Sequence, residues 1–122
     1  MALWKRVILT PRIFAALASP ERIRVLRALE ERNMTGTEVA SRLAISKSTA
    51  FKELSRLEEA ELVARIDGNR KWVYYRLTEI ARRILHPEDV IMTFASDAEA
   101  GAVPSDLREL ASALERGPQG AP

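Results

Sequence analysis

Apolar residues recur at helical spacing in the first part of the chain, and each run follows a capping signal. Thr10-Pro11 and Ser19-Pro20 each place a hydroxyl residue before a proline, which is favoured at the first helical position. The first signal predicts a short helix that buries Ile13, Phe14 and Leu17. The second predicts a longer helix, ending near Arg32 and Asn33, with an apolar face formed by Ile23, Val25, Leu26 and Leu29.

Two further helices are predicted close together. Thr35 and Glu38 form a T-x-x-E capping box for a third, short helix with Val39 and Leu43 inward. Ser46 then caps a fourth helix that runs to about Ala60.

A hairpin and a fifth helix follow. LVARID (62–67) and KWVYYRL (71–77) are β-type runs around the turn signal Asp67-Gly68-Asn69-Arg70, which predicts an antiparallel hairpin. Thr78 caps a fifth helix, TEIARRIL, which stops at His86-Pro87, and we expect His86 to interact with the last helix carbonyls. The predicted fold class is mainly α with a small β-hairpin wing.

The fourth helix has two contrasting faces. At 100° per residue, Ala50, Leu54 and Leu57 share one face, whereas Ser48, Phe51, Lys52 and Ser55 lie opposite. A short helix followed at once by one with hydroxyl and cationic groups on its first turn and outer face suits reading of the DNA major groove. The alternative is an ordinary solvated face capped by Ser46. Phe51 has two interpretations as well, since it could contact a thymine methyl or fold back onto the neighbouring helix.

The predicted hairpin carries basic and aromatic residues. Val73, Tyr75 and Leu77 alternate with Trp72, Tyr74 and Arg76, so the first set is expected to pack on the helices. Three cations near the turn either follow a phosphate backbone or minor groove, or only blunt an edge strand; they are Arg65, Arg70 and Lys71. Trp72 and Tyr74 could stack on single-stranded bases, but the fourth helix favours double-stranded DNA.

Composition excludes several classes of protein. The 122 residues, 47% of them hydrophobic, suffice for one ordinary domain. The chain has no cysteine and a single histidine, which excludes thiolate metal sites, cysteine nucleophiles and disulfides. No nucleophile and base pair or glycine-rich phosphate loop is visible, so we expect neither an enzyme nor a cofactor. Without a membrane-length apolar run or a signal peptide, a cytoplasmic protein is expected. Few amide side chains and many charged ones suit a thermophilic, including archaeal, source, although a GC-rich genome would also enrich Arg and Ala.

Charge divides the chain into two parts. Residues 1–83 carry 17 Lys and Arg against 10 Asp and Glu, a net charge of +7, while residues 84–122 carry 2 against 7, a net charge of −5. The basic part suits a polyanion, and the acidic part suits protein contacts. We therefore predict a DNA-binding domain over 10–86 and a C-terminal helical dimerisation segment with a frayed tail over 87–122.

The C-terminal segment has an apolar stripe of Leu107, Leu110, Ala111 and Leu114 at helical spacing, capped by Ser105. The stripe either completes the monomer core or forms a dimer interface. We favour the dimer interface, built with the arm over 3–9 and with Ile13 and Phe14 of the first helix.

The run from Phe14 to Leu85 resembles the winged helix-turn-helix domain of ArsR-type and related bacterial and archaeal transcription regulators. The residues that carry the resemblance are LASPERIRVLRAL (17–29), TGTEVASRLAISKSTAFKELSRLEEAELV (35–63) and RKWVYYRLTE (70–79). The resemblance implies a DNA-binding dimer with a recognition helix over 46–60 and a wing over 62–77. The cysteine ligands of the metal sensors are absent, so metal sensing is not implied. Glu61 also departs from the family, which usually has glycine there.

These observations predict a homodimeric regulator that binds double-stranded DNA without a metal or cofactor. The expected DNA-contacting residues are Ser46, Lys47, Ser48, Thr49, Phe51, Lys52, Ser55, Arg56, Arg65, Arg70 and Lys71. One alternative is a protein interaction module that docks a partner through Phe51, Trp72 or Tyr74. Another is a small-molecule sensor with a pocket near residues 87–103, whose effector stays open.

Overall fold

The computed structural model describes residues 5–67, 71–96 and 98. The helices are α1 (Pro11–Leu17), α2 (Pro20–Glu31), α3 (Gly36–Leu43), α4 (Lys47–Glu59) and α5 (Glu79–Leu85). The strands are β1 (Lys5–Leu9), β2 (Met34–Thr35), β3 (Val63–Ile66), β4 (Tyr74–Leu77) and β5 (Val90–Phe94). The five predicted helices and the hairpin are confirmed, whereas β1, β2 and β5 were not predicted.

All five predicted N-caps are confirmed. Each hydroxyl accepts a hydrogen bond from the backbone N–H three residues further on, which satisfies one of the free donors at a helix start. At α3 the capping box is complete, because Glu38 also accepts from the Thr35 N–H at 3.0 Å. Local sequence chemistry therefore sets where these helices begin.

The core lies between α2, α3, α4 and the hairpin. Its fully buried side chains include Val25, Leu26, Met34, Val39, Leu54, Leu57, Leu62 and Leu77. Two predicted core residues are not there: Phe14 is 46% exposed and Ile23 is 40% exposed. The inner face of α1 is occupied by Ile13 and Ala16, and the inner face of α2 is centred on Val25 and Leu29, which leaves those two side chains on the rim.

The hairpin belongs to a three-stranded antiparallel sheet in the order β2-β4-β3. Val63 pairs with Leu77, and Ile66 pairs with Tyr74. Tyr75 and Leu77 are buried and Val73 packs against the core, while Trp72 and Tyr74 are exposed, so the predicted alternation is confirmed. Burial raises the pKa of the Tyr75 hydroxyl.

A second sheet pairs the two ends of the described chain. β1 and β5 run parallel, with Val7 opposite Met92 and Leu9 opposite Phe94. Val7 and Leu9 are buried in the core, and Met92 packs against it. The packed unit therefore includes β1 and β5 together with the helices and the hairpin.

Helix α4 ends in a left-handed residue. Glu61 has φ 61°, its N–H donates to the Glu58 carbonyl at 2.9 Å, and the Leu62 N–H donates to the Leu57 carbonyl at 2.9 Å. These two bonds form a Schellman motif, which usually has glycine at the position of Glu61. The backbone expected from the family is thus kept although the glycine is not.

His86 differs from the prediction in its side chain. Its backbone N–H caps α5 through the Arg82 carbonyl. Its imidazole Nε2, however, pairs with the Glu30 carboxylate on α2 rather than with the helix carbonyls. This contact joins residues 56 positions apart, which local sequence does not reveal.

Candidate nucleic-acid interface

Helices α3 and α4 are joined by a tight turn. Ala44 adopts a left-handed conformation with φ 56°, and the Ile45 N–H donates back to the Ala40 carbonyl at 3.0 Å. Ser46 then caps α4, so only three residues separate the two helices. Ala40 and Leu43 of α3 face Ala50 and Leu54 of α4 in the common core. This arrangement is a helix-turn-helix with α4 as its second helix.

The hydroxyl groups at the start of α4 form one hydrogen-bonded cluster. Ser46 Oγ accepts from the Thr49 N–H at 3.1 Å and donates to Thr49 Oγ1 at 2.8 Å. Ser48 Oγ lies 3.2 Å from Ser46 Oγ. Ser46 and Thr49 are therefore engaged in capping, while the exposed Lys47 and Ser48 project from the first turn.

The two faces of α4 are as predicted. Ala50, Leu54 and Leu57 are fully buried. The exposed residues of the helix include Lys47, Ser48, Phe51, Lys52, Ser55 and Arg56. The outer face thus offers hydroxyl donors and cations along about three turns, a length that fits the DNA major groove.

Phe51 lies partly against α3. A Cβ added to Gly36, the first residue of α3, would overlap the Phe51 ring, so the ring packs over that glycine. The side chain nevertheless stays 45% exposed. Of the two interpretations, folding back onto the neighbouring helix describes this structure, and the exposed part of the ring stays on the outer face.

A partly buried ion pair that the sequence pattern did not predict fixes α4 against α2. Arg22 Nε donates to Glu53 Oε2 at 2.9 Å, and these side chains are 16% and 9% exposed. Arg22 Nη1 also donates to the Ala15 and Ala16 carbonyls at the end of α1. The helical wheel carries a signal for this contact, because Glu53 lies only 60° from Ala50 and therefore on the inner face.

Cations on this surface differ from those of α2 and α3 in their pairing. Among the described residues, the arginines that form ion pairs with carboxylates include Arg22, Arg24, Arg27, Arg32, Arg42 and Arg83. In the part of the chain that the structure describes, Lys47, Lys52, Arg56 and Arg65 have no such partner. Positive charge is therefore neutralised on α2 and left uncompensated on α4 and β3.

The wing places its basic residues beside aromatic ones. Arg65 on β3 and Lys71 before β4 are exposed, and Trp72 is 51% exposed. Arg70, another predicted contact, lies outside the described residues. The described part of the wing therefore offers both cationic and stacking groups.

The predicted dimer contacts fall into three situations. Ile13 is 6% exposed in the chain's own core, so its side chain is not available to a partner. Phe14 is exposed and stacks on Phe94, with ring centroids 5.8 Å apart. Leu107, Leu110 and Leu114 lie outside the described residues.

The described residues also bear on other kinds of site. Within 5–67, 71–96 and 98, no group of three or more His, Cys, Asp or Glu side chains is placed to hold a metal ion. Two open clefts are lined by described residues, one around Arg12 and Arg56 and the other around Glu30 and His86, and neither includes a residue from 87–98. None of the described helices has the length and apolar content needed to cross a membrane.

Known proteins share this architecture. Residues 17–66 match the model of a family described as a helix-turn-helix domain. The chain is similar to the homodimeric winged helix-turn-helix DNA-binding domain of a possible ArsR-family transcriptional regulator from Mycobacterium bovis. The two share 24% identity and a TM-score of 0.57, and the match covers 63% of this chain and 72% of that chain. It is also similar to the transcriptional repressor BigR from Xylella fastidiosa, with 27% identity, a TM-score of 0.54, and coverage of 60% and 73%.

A third similar structure is HlyU from Vibrio cholerae, with 27% identity, a TM-score of 0.53, and coverage of 63% of this chain and 84% of that chain. A search of curated proteins returns no significant match. The predicted fold and the predicted resemblance are both confirmed by these comparisons.

Proposed function

We propose that this protein is a sequence-specific regulator that binds double-stranded DNA as a homodimer. The proposal starts from its winged helix-turn-helix domain, which resembles those of ArsR-type transcription regulators. Helix α4 enters the major groove, and the wing lies on the phosphate backbone or in the minor groove. The observation that carries the proposal is the outer face of α4, where exposed hydroxyls lie among cations that have no ion pair in the described chain.

The two kinds of side chain on α4 have different roles in this proposal. Lys47 and Lys52 contact phosphates and supply affinity that does not depend on sequence. Ser48 and Ser55 reach base edges and supply sequence preference. Ser46 and Thr49 are engaged with each other, so their role is to hold the first turn, whose N–H groups and dipole favour a phosphate. In the wing, Arg65, Arg70 and Lys71 add phosphate contacts.

Salt dependence of duplex binding tests the electrostatic part. With three to five phosphate contacts per protomer, log affinity should fall against log salt with a slope of very roughly −5 to −9 for a dimer. Lys52→Ala should flatten the slope by about 2, because a dimer loses two contacts. Arg82→Ala removes an exposed cation of α5 and serves as the matched control with an unchanged slope. Binding that does not weaken between low and moderate salt would contradict the proposal.

Selection of bound sites from a random duplex pool tests the specific part. The selected site should be a pseudo-palindrome with half-sites about one helical turn apart, or a multiple of that. Ser48→Ala should relax one position of the site by about 1 to 3 kcal/mol, whereas Lys52→Ala should weaken all sequences alike. Selected sites without two-fold symmetry would count against the dimer.

The protein interaction module stays as the second candidate, because Trp72 and Tyr74 are 51% and 37% exposed on one face of the wing. This second candidate predicts that the protein is not retained on duplex DNA or heparin at low salt. The same salt series therefore separates the two candidates.

A further inference from the structure

Strand β5 has one edge that faces away from β1. In the described part of the chain β5 pairs with β1, and the outward backbone groups of Met92 and Phe94 have no hydrogen-bond partner there. The strand, VIMTF, has no charged residue and no proline, which are the features that usually protect an exposed edge.

The backbone bonds show which groups point outward. The Lys5 N–H donates to the Asp89 carbonyl at 2.9 Å, and the Ala95 N–H donates to the Leu9 carbonyl at 3.0 Å. Because backbone groups alternate in direction along a strand, those of Val90, Met92 and Phe94 point away from β1. The Val90 N–H already donates to the Pro87 carbonyl at 3.1 Å.

The opposite edge of this sheet contacts α5. The outward carbonyl of Arg6 on β1 accepts a hydrogen bond from Arg83 Nη1 of α5 at 2.8 Å. Of the two described edges, we therefore take that of β5 as the one that another strand joins. An assembly through that edge ends at two copies and does not continue into a fibre.

We propose that β5 pairs antiparallel with β5 of a second copy, with the two-fold axis at Met92, to form a four-stranded sheet in the order β1-β5-β5-β1. In this register Met92 exchanges two hydrogen bonds with Met92 of the partner subunit. Each Phe94 N–H donates to Val90 of the partner subunit, which gives four inter-subunit backbone bonds. The Val90 N–H keeps its bond to Pro87.

Side chains agree with a second copy as the occupant. Phe94 is 71% exposed, the highest value among the large hydrophobic residues of the described chain, and the pairing places it opposite Val90 of the partner subunit. An aromatic residue opposite a β-branched one is a favourable cross-strand pair. Since the strand is uncharged, no like charges oppose each other across the axis. Phe14, stacked on Phe94, lies beside the same contact.

This inference rests on the homodimer of the proposed function and names its interface. The C-terminal segment over 99–122 is the competing occupant of the edge, in which case β5 is not an interface between copies. DNA binding and pairing through β5 are measured separately, so that the failure of one is distinguishable from the failure of the other.

The first test is the oligomeric state of the full chain by light scattering over a concentration series. The wild type should be a dimer, and Phe94→Lys should weaken dimerisation at least tenfold, because it places a lysine at the shared edge. Ile23→Lys, which replaces a 40% exposed residue of α2, is the matched control and should leave the dimer intact. A monomeric wild type, or a Phe94→Lys protein that dimerises like the wild type, would overturn the inference.

The second test reads the register and does not depend on Phe94. The chain has no cysteine, so Met92→Cys introduces a single thiol. Across the axis the two Cα atoms would lie about 5.5 Å apart, within the disulfide range of about 4.4 to 6.8 Å. Met92→Cys should therefore form a cross-linked dimer under mild oxidation. Ile8→Cys on β1 should not, since three strand spacings, about 14 Å, separate the two copies there. Equal cross-linking of both variants, or of neither, would refute the register.

If the protein is monomeric yet binds duplex DNA with the expected salt slope, the proposed DNA binding stands and the β5 interface fails. If Met92→Cys cross-links but the protein does not bind duplex DNA, the interface stands and the DNA-binding proposal fails.

Discussion

Replacing Glu61 by glycine should stabilise the protein. Glu61 holds φ 61°, where a residue with a Cβ is strained and glycine is not. Its side chain is exposed and forms no ion pair within the described residues, so the substitution removes no side-chain contact seen there. Its carbonyl still accepts the Thr78 hydroxyl at 2.7 Å after the change.

The magnitude follows from two opposing effects. Relief of the left-handed conformation contributes about 1 to 2 kcal/mol. The greater backbone entropy of glycine in the unfolded chain costs about 0.4 to 1 kcal/mol. The net gain is about 0 to 1.6 kcal/mol with a midpoint near 0.8 kcal/mol, and the midpoint raises the melting temperature by roughly 3 to 5 °C for a chain of this size. DNA affinity should not change, because Glu61 lies at the opposite end of α4 from Lys47.

Thermal melts followed by circular dichroism measure the effect, with two matched variants. Ala44→Gly replaces the left-handed alanine between α3 and α4, at φ 56°, and should also stabilise the protein. Lys52→Gly lies in the exposed interior of α4 and should lose about 0.7 kcal/mol. If Glu61→Gly loses more than about 1 kcal/mol while Ala44→Gly gains, then Glu61 makes a stabilising contact and the strain argument is refuted.

Two further predictions concern ion pairs. Glu53→Ala leaves Arg22 without its carboxylate and should lower the free energy of urea unfolding by about 2 to 4 kcal/mol. The double variant Arg22→Met with Glu53→Leu should lose less, because it buries no unpaired charge. Equal losses in the two variants would argue against a stabilising pair. The Thr35 N–H, followed by Arg32, lowers the pKa of Glu38. This carboxylate therefore contributes stability that is present above its unfolded pKa of about 4.3 and is lost as the pH falls through its lower folded pKa. Glu38→Gln removes the titrating group, so the variant should lose less stability than the wild type between about pH 5 and pH 3. Thermal melts across that pH range measure the difference.

Much of the candidate site could be read from the sequence because it depends on local geometry. The faces of α4 follow from 100° per residue, so the outward positions of Ser48 and Lys52 and the burial of Leu54 required no knowledge of the rest of the chain. Ser46 was identified as a cap for the same reason.

The remaining features join residues that are far apart in the chain. Strand β1 pairs with β5 some 85 positions away. Neither segment alternates clearly between polar and apolar residues, so its partner and register cannot be inferred from its own pattern. The same holds for the packing of the Phe51 ring over Gly36, which depends on how closely α3 approaches α4.

The sequence by itself determined where the helices begin and end, which faces of α4 and the hairpin turn inward, and which cations lie on the outer surface. These properties are set by backbone hydrogen bonding and side-chain periodicity over a few residues. Only the tertiary structure decided that Glu53 is buried against Arg22, that Phe14 is exposed, and that β5 pairs with β1. Each of these depends on which distant surface arrives at that side of an element, and that is a result of packing the whole chain around one core.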